Sequence, residues 1–282
     1  SDAAPESATF RHRSPIRHET KYRTEIMTLD ISWLSFEGHY AQRLLKRTPA
    51  KLCLTQDLPA EIFMQKIISK PLKQGQGYKF GIFAGLHGDE EAGTLAAHEL
   101  VKWAATQPVE LADFELHIYP VCNPTGADQK TRHSVSCADL NREFWMGSTE
   151  PEVMYLESEL RREQFQGIIQ LHSDDTSHGV YGFVRGSILS EALLKPALAK
   201  AAEYLPHNFN GTIDGFQAEG GIIREYYEGI LSAPPEQRPR PLEMIIETPD
   251  LAPMPQQVAA TLAAVKTILA EYRHLQAYAA DL

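Results

Sequence analysis

The sequence predicts an α/β fold: a single three-layer domain with helices on both faces of a mixed, mostly parallel sheet. Three observations carry this. Short apolar runs of strand length alternate with amphipathic stretches of about ten residues or more, the pattern of βαβ units. A chain of 282 residues with 43% hydrophobic content can bury one sizeable core. Several apolar runs empty directly into histidines, carboxylates or arginines, as strands do when their carboxyl ends line a crevice.

Taken in order, residues 1–30 are polar, poor in aliphatics and dotted with proline, and read as an N-terminal extension, partly irregular; residues 31–282 read as the domain. Ile31, Leu34, Phe36, Tyr40 and Leu44 suit one helical face, followed by basic Lys46 and Arg47. Two short strands follow, Lys51 to Leu54 and Ile62 to Ile68, the second closed by Lys70-Pro71 and a Gly75/Gly77 turn. Next come the strand Lys79 to Ala84 and a helix from Asp89 to Ala105, with Ala92, Leu95, Ala96, Leu100 and Trp103 on one face. Phe114 to Val121 is a strand that runs into Asn123-Pro124-Thr125-Gly126, a turn signature. The connection from there to Phe144 is too long to be a bland link and is expected to carry function. A charged helix spans Glu152 to Gln164, the strand Gly167 to Leu171 delivers His172, and Gly179 to Val184 is a further strand. Leu189 to Tyr204 is a helix containing Pro196; a Pro-rich loop over 234–241 leads to the strand Glu243 to Glu247, and a helix from Gln256 to Tyr278 closes the chain.

A formal charge of −10, with no block of five or more like charges, argues against a nucleic-acid surface or a basic membrane-binding helix. No run has the length of a membrane span, and the polar start lacks the apolar core of a secretory signal, so a cytoplasmic location is expected; a signal removed before residue 1 would leave the same sequence. Three cysteines without C-x-x-C spacing make neither a disulfide framework nor a cysteine zinc site; a Cys122–Cys137 pair stays open.

His87 and Glu90 stand three residues apart where a strand gives way to a helix, a spacing that lets an imidazole and a carboxylate face one metal ion. With 11 histidines and 37 acidic residues such a pair is expected about once by composition alone, and a plain helix start with acids near its positive end is the other reading. Three further strand ends shift the balance. They supply His172, then Glu247, then a loop bearing Arg132, Asn141 and Arg142. Two neutral imidazoles and one carboxylate suit a catalytic Zn²⁺ site with an open position, and a carboxylate off the metal can move the proton of a water. Arg132 suits an oxyanion, and Asn141 with Arg142 a substrate carboxylate, although a solvated arginine and a helix cap at Asp139 are the plainer alternatives. Asp174 or Asp175 could orient a ligand, and Tyr226 and Tyr227, in a Gly-flanked segment, could close over a substrate or simply pack.

The motifs H-G-D-E (87–90), N-P-T-G (123–126), Arg132, D-L-N-R (139–142), L-H-S (171–173) and E-T-P (247–249), in that order, resemble the zinc carboxypeptidase superfamily (peptidase family M14), near its succinylglutamate desuccinylase/aspartoacylase-like branch. The resemblance covers residues 78–250. It implies that 31–282 form a zinc hydrolase catalytic domain with one Zn²⁺ per chain on His87, Glu90 and His172. By the same resemblance Glu247 is the general base and acid, Arg132 polarises the scissile carbonyl, Asn141 and Arg142 hold the substrate carboxylate, and Tyr226 or Tyr227 corresponds loosely to a mobile tyrosine. Gln170 departs from the family's frequent aspartate two residues before the third ligand, which puts the surroundings of His172 in question. A single long helix after Glu247, without a further β-rich domain, points toward a peptidase or a stand-alone deacylase. The implied partner is a small carboxylate-bearing substrate, a peptide C-terminus or an N-acyl amino acid; the competing expectation is a catalytically silent relative that binds such a molecule through the Arg/Asn clamp.

Overall fold

Side chains alternate across the strands, and this alternation divides the core in two. A computed structural model describes residues 53–55, 64–71 and 77–279 of the chain. The expected arm over 1–30, the helix over 31–45, the beginnings of both early strands and the body of the Gly75/Gly77 turn lie outside the described residues. Fifteen elements carry the fold: strands β1 (Cys53–Thr55), β2 (Lys66–Ser69), β3 (Tyr78–Ala84), helix α1 (Glu91–Thr106), β4 (Phe114–Tyr119), α2 (Pro124–Gln129), α3 (Pro151–Glu163), β5 (Gly167–Asp174), β6 (Tyr181–Gly186), α4 (Leu189–Ala201), β7 (Thr212–Ile213), β8 (Phe216–Glu219), β9 (Ile222–Ile223), β10 (Leu242–Pro249) and α5 (Met254–Ala279).

The ten strands form one open mixed sheet in the order β1-β2-β4-β3-β5-β10-β6-β9-β8-β7. Its four central strands, β4, β3, β5 and β10, are parallel, and the pairs that flank them toward both edges are antiparallel except for β6 with β9. The order reverses about β3, with β4 on one side of it and β5 on the other. In a sheet of this kind the crevice beyond the carboxyl ends of those strands is where ligands collect.

On one face, Phe80, Ile82 and Ala84 of β3, Leu116 and Ile118 of β4, Ile169 and Leu171 of β5 and Met244 and Ile246 of β10 meet the buried sides of α1, α4 and α5. On the other, Phe83, Tyr119, Phe165 and Ile168 meet Val153, Leu156 and Leu160 of α3. Beyond α3, the same face over β10 and β6 carries Tyr181, Phe183 and Ile245, packed against Ile213, Ile223 and Ile230 from the segment of short strands. So helices lie on both faces, but one end of the second face is covered by the segment of short strands instead.

Several boundaries differ from expectation. N-P-T-G opens α2 rather than a turn, because Asn123 accepts a hydrogen bond from the Gly126 amide as an N-cap while Pro124 occupies the first turn. Leu95, expected on the buried face of α1, is 37% exposed. The strands β5 and β10 run on past Leu171 and Glu247, since their pairing continues through Asp174 and Pro249; His172 and Glu247 are therefore in-sheet residues placed directly opposite one another. The strands β7, β8 and β9 were not read from the sequence, being two to four residues long. Cys122 and Cys137 are both free thiols.

Candidate active site

Two glycines bring the loop after β3 into place. A Cβ on Gly88 would fall 2.0 Å from the Gly126 carbonyl carbon, and one on Gly93 would fall 2.7 Å from the Leu171 oxygen. Only glycine allows the start of α1 to press so closely on α2 and β5. Glu90, at the N-cap position of α1, makes no capping bond with its side chain. Its carboxylate instead turns to two histidines: Oε1 touches Nδ1 of His87, and Oε2 lies 2.8 Å from Nδ1 of His172. The Ser173 amide donates to Oε2 at 3.2 Å. All three side chains are buried, and ligand-capable atoms of His87, Glu90 and His172 lie within 4.8 Å of one another.

Asp139 organises the far side of this cluster. Nε2–H of His87 donates to Oδ1 of Asp139 at 3.1 Å, and Arg132 donates from Nε and Nη2 to Oδ2 at 3.1 and 3.0 Å. The same guanidinium places Nη1 3.3 Å from His87 Nδ1 and 3.8 Å from Glu90 Oε1. With the Nε2 proton committed to Asp139, the Nδ1 lone pair of His87 confronts a carboxylate oxygen, a pairing that needs a proton or a cation between the two atoms. His172 Nε2 is buried without a hydrogen-bond partner. Two imidazoles and one carboxylate are the donor set of a catalytic zinc site, so the residues present fit such a metal.

The electrostatics agree. Burial favours the neutral forms of both Glu90 and His87, but their contacts prevail: His172 and His87 hold Glu90 down to about 2, and Asp139 and Glu90 raise His87. Glu247 goes the other way. Burial, with Glu90, Asp174 and Asp214 nearby, pushes its carboxyl well above the usual range. Directly across β10 from Glu247 stands Tyr181, whose hydroxyl donates to Asp174 Oδ2 at 2.9 Å.

One cavity of about 420 Å³ contains the whole set. His87, Glu90, His172, Glu247, Arg132, Asn141, Arg142, Tyr226 and Tyr227 all line it. The clamp pair is half committed. Asn141 Oδ1 accepts from the Leu231 amide at 2.9 Å, while Arg142 donates to the Asn141 carbonyl at 2.8 Å and lies 4.1 Å over the ring of Tyr227. Asp174 lines the wall and braces Tyr181, and exposed Asp175 lines it too. Gln170 stands apart, donating to the Leu231 carbonyl at 3.0 Å. His133 and His178 are exposed, and His117 belongs to a separate cluster.

Sequence reading missed Asp139, Tyr181 and Asp214 as parts of the site. Asp139 carried a signal, since it stands two residues before Asn141 in the D-L-N-R motif, where one tight turn (Leu140–Arg142) aims both inward. Tyr181 and Asp214 carried none, because pairing with β10 and the course of the short strands bring them in.

A metal-competent His-Glu-His cluster thus lies at the carboxyl ends of the central parallel strands, faced by a buried carboxylate and two arginines. Residues 76–211 match the Succinylglutamate desuccinylase/Aspartoacylase catalytic domain family. The fold is shared with a candidate metallopeptidase of Shewanella baltica OS155 (22% identity over 77% of this chain and 85% of that one, TM-score 0.64). It is shared also with a metallo-carboxypeptidase of Burkholderia cenocepacia (18%, 82% and 67%, TM-score 0.64). A metallo-carboxypeptidase of Pseudomonas aeruginosa, solved with (2-guanidinoethylmercapto)succinic acid, is similar at 16% identity, 83% and 68% coverage and TM-score 0.60. No curated protein sequence matches the chain. The family match and the shared fold make the chain similar to the zinc carboxypeptidase superfamily, near its succinylglutamate desuccinylase/aspartoacylase branch. Among the described residues no helix is long and apolar enough to cross a membrane.

Proposed function

We propose that this protein is a zinc-dependent hydrolase that cleaves an amide bond next to a free carboxylate, as an M14-type carboxypeptidase or an N-acyl amino acid deacylase. The observation that carries the reading is the placement of His87, Glu90 and His172 in one cavity with Glu247, Arg132 and the Asn141/Arg142 pair. The three ligand candidates would hold one Zn²⁺. Zinc bound there supplies Lewis acidity, which acidifies a water and polarises a carbonyl.

The protein's own groups divide the remaining work. Glu247, buried and held above the ordinary carboxylate range, is suited to take a proton from the attacking water and return it to the leaving amine. Arg132, fixed by two bonds to Asp139, presents Nη1 toward the side of the cavity where negative charge develops on the carbonyl oxygen. Arg142 supplies a cation and Asn141 an amide donor for the substrate carboxylate, and the rings of Tyr226 and Tyr227 wall that end. The ligand of the similar Pseudomonas aeruginosa enzyme is a substituted succinic acid, which supports a carboxylate-bearing substrate here.

The test is metal analysis of the purified protein together with a hydrolysis panel of N-acyl amino acids and short peptides, with and without chelator. Near-stoichiometric zinc and chelator-sensitive turnover are expected. Tight binding of the panel without turnover, in zinc-replete protein, would show a silent binding relative instead.

A further inference from the structure

A second cavity, of about 550 Å³, lies beside the first, and among the residues lining the two only Tyr226 is common. Phe183, packed with Ile213, Ile223 and Phe216, closes the strand face between them, so the second cavity is a separate hollow. Three stretches far apart in sequence converge on it, and each brings a guanidinium. Arg185 comes from the end of β6, Arg224 from just after β9, and Arg238 and Arg240 from the loop before β10. Four arginines against one lining carboxylate, Glu191, make the hollow locally cationic in a chain of net charge −10. Ser187 and Ile188, at the start of α4, line it too, which adds the positive end of that helix to the same space.

Two of the arginines form a fixed frame. Arg224 makes two bonds to Glu191, at 2.7 and 2.8 Å, and approaches Glu219 at 3.1 Å. Arg240 pairs at 2.7 Å with the buried carboxylate of Glu243 and donates to the Pro234 carbonyl at 2.9 Å. The other two are free to take a ligand. Arg238 donates only to the carbonyls of Pro235 and Gln237, and Arg185 stacks on the ring of Tyr226 at 4.0 Å. Neither Arg185 nor Arg238 has a carboxylate within ion-pair distance among the described residues.

The arrangement of the donors selects among anions. One guanidinium fork satisfies a planar carboxylate, whereas a phosphate offers three oxygens to donors that arrive from several directions, as these do. The remaining wall is partly apolar, with the rings of Tyr226 and Pro235 and the exposed side chain of Ile188. A hollow of about 550 Å³ has the size of a small-molecule site and far exceeds what a bare oxyanion fills. We infer that the second cavity binds an aromatic phosphate monoester, a nucleotide-like small molecule with its phosphate on Arg185 and Arg238 and its ring against Tyr226 and Ile188. Arg238 and Ile188 are exposed, so this ligand enters from solvent without passing through the candidate active site.

The test is isothermal titration calorimetry with phenyl phosphate, against inorganic phosphate, phenol and phenylmalonate, a dicarboxylate that carries the same ring. Phenyl phosphate is expected to bind one per chain, about threefold to tenfold tighter than inorganic phosphate, with no detectable binding of phenol. The R185Q/R238Q variant should weaken phenyl phosphate by about tenfold or more, and Tyr226→Ala should remove its advantage over inorganic phosphate. Should the double variant fail to fold, R238Q alone, at an exposed position, is expected to weaken phenyl phosphate by about threefold or more. Affinity for phenyl phosphate that is unchanged in these arginine variants would place the ligand elsewhere, the His-Glu-His cluster included, and overturn the site. Inorganic phosphate binding as tightly as phenyl phosphate would show a pocket for free anions, and phenylmalonate binding as tightly would show one for carboxylates; either result overturns the assignment.

Discussion

Among the described residues, two groups of histidine and carboxylate bring ligand-capable atoms within 4.8 Å of one another, His87/Glu90/His172 and Glu115/His117/Glu163, and they differ in what neutralises the acids. At the second, the cations are already present. Lys66 and Lys79 reach Glu163 at 2.9 and 3.0 Å, and Lys70 reaches Glu115 at 2.9 Å. Burial, then the charge on Lys66, pushes His117 down to about 4. At the first, no lysine lines the cavity, Arg132 and Arg142 are outnumbered by carboxylates, and His87 is raised. Similar donor atoms thus answer to opposite fields: one site calls for a cation, the other is an ion-pair network. Position reinforces the contrast, since the first cluster opens at the carboxyl ends of β3 and β5, whereas the second is tied between β4 and α3 under buried Lys66.

The sharpest way to break this comparison is at Glu247. Glu247→Gln is expected to lower kcat by about 10²–10⁴ with zinc content and unfolding midpoint retained; wild-type turnover in that variant would take Glu247 out of the chemistry. At the other cluster the large effect is on stability. Lys66, 1% exposed, pairs with Glu159 at 2.7 Å, and Glu159 also accepts from Tyr119. Lys66→Ala leaves Glu159 with only the half-exposed Arg162, and Glu163 with Lys79 and Arg162, and should cost up to about 3 kcal/mol in denaturant unfolding, with zinc stoichiometry unchanged. A loss of zinc in Lys66→Ala would contradict the separation of the two sites.

Next in size is a pH effect specific to His117. Its folded value lies below its ordinary one, so the unfolded chain takes up the proton first as pH falls, and stability is lost between about 6.5 and 4. That loss approaches about 3 kcal/mol over the full window. Glu163, held down to about 2 against burial by Lys66, adds its own loss only at lower pH, below its ordinary value. Denaturant unfolding at pH 7.5 and 5 should show the slope in wild type and a flatter one in His117→Gln; equal slopes would argue that another group titrates. The smallest effect is expected at Asp139, which positions His87 and Arg132 without joining the cluster. Asp139→Asn should weaken zinc affinity about 10–100-fold, read by chelator competition, while global stability barely moves.

Much of this was legible in the sequence, for stated reasons. His87 and Glu90 were readable because strand, glycine turn and helix start are local signals, and His172 because it follows the short, mainly apolar run Gly167 to Leu171. Arg132, Asn141 and Arg142 were readable from the length of their connection. The exact ends of β5 and β10 were not, since strand length depends on partners far away in the chain. That His117 faces Glu163 of α3 and buried Lys66 of β2 has no signal along the chain; it follows from how those elements cross.

The sequence alone determined the α/β alternation, the order of the reactive residues and their attachment to strand ends, because periodicity and turn chemistry act over a few residues. Only the tertiary structure decided which of those ends converge. Parallel pairing of β10 with β5 sets Glu247 beside His172, and the close approach permitted by Gly93 sets Glu90 between two imidazoles. The neutralising partners of each carboxylate were likewise decided there, since charges interact through space and not along the chain. That difference separates a site that can hold a metal from a cluster already filled with lysines.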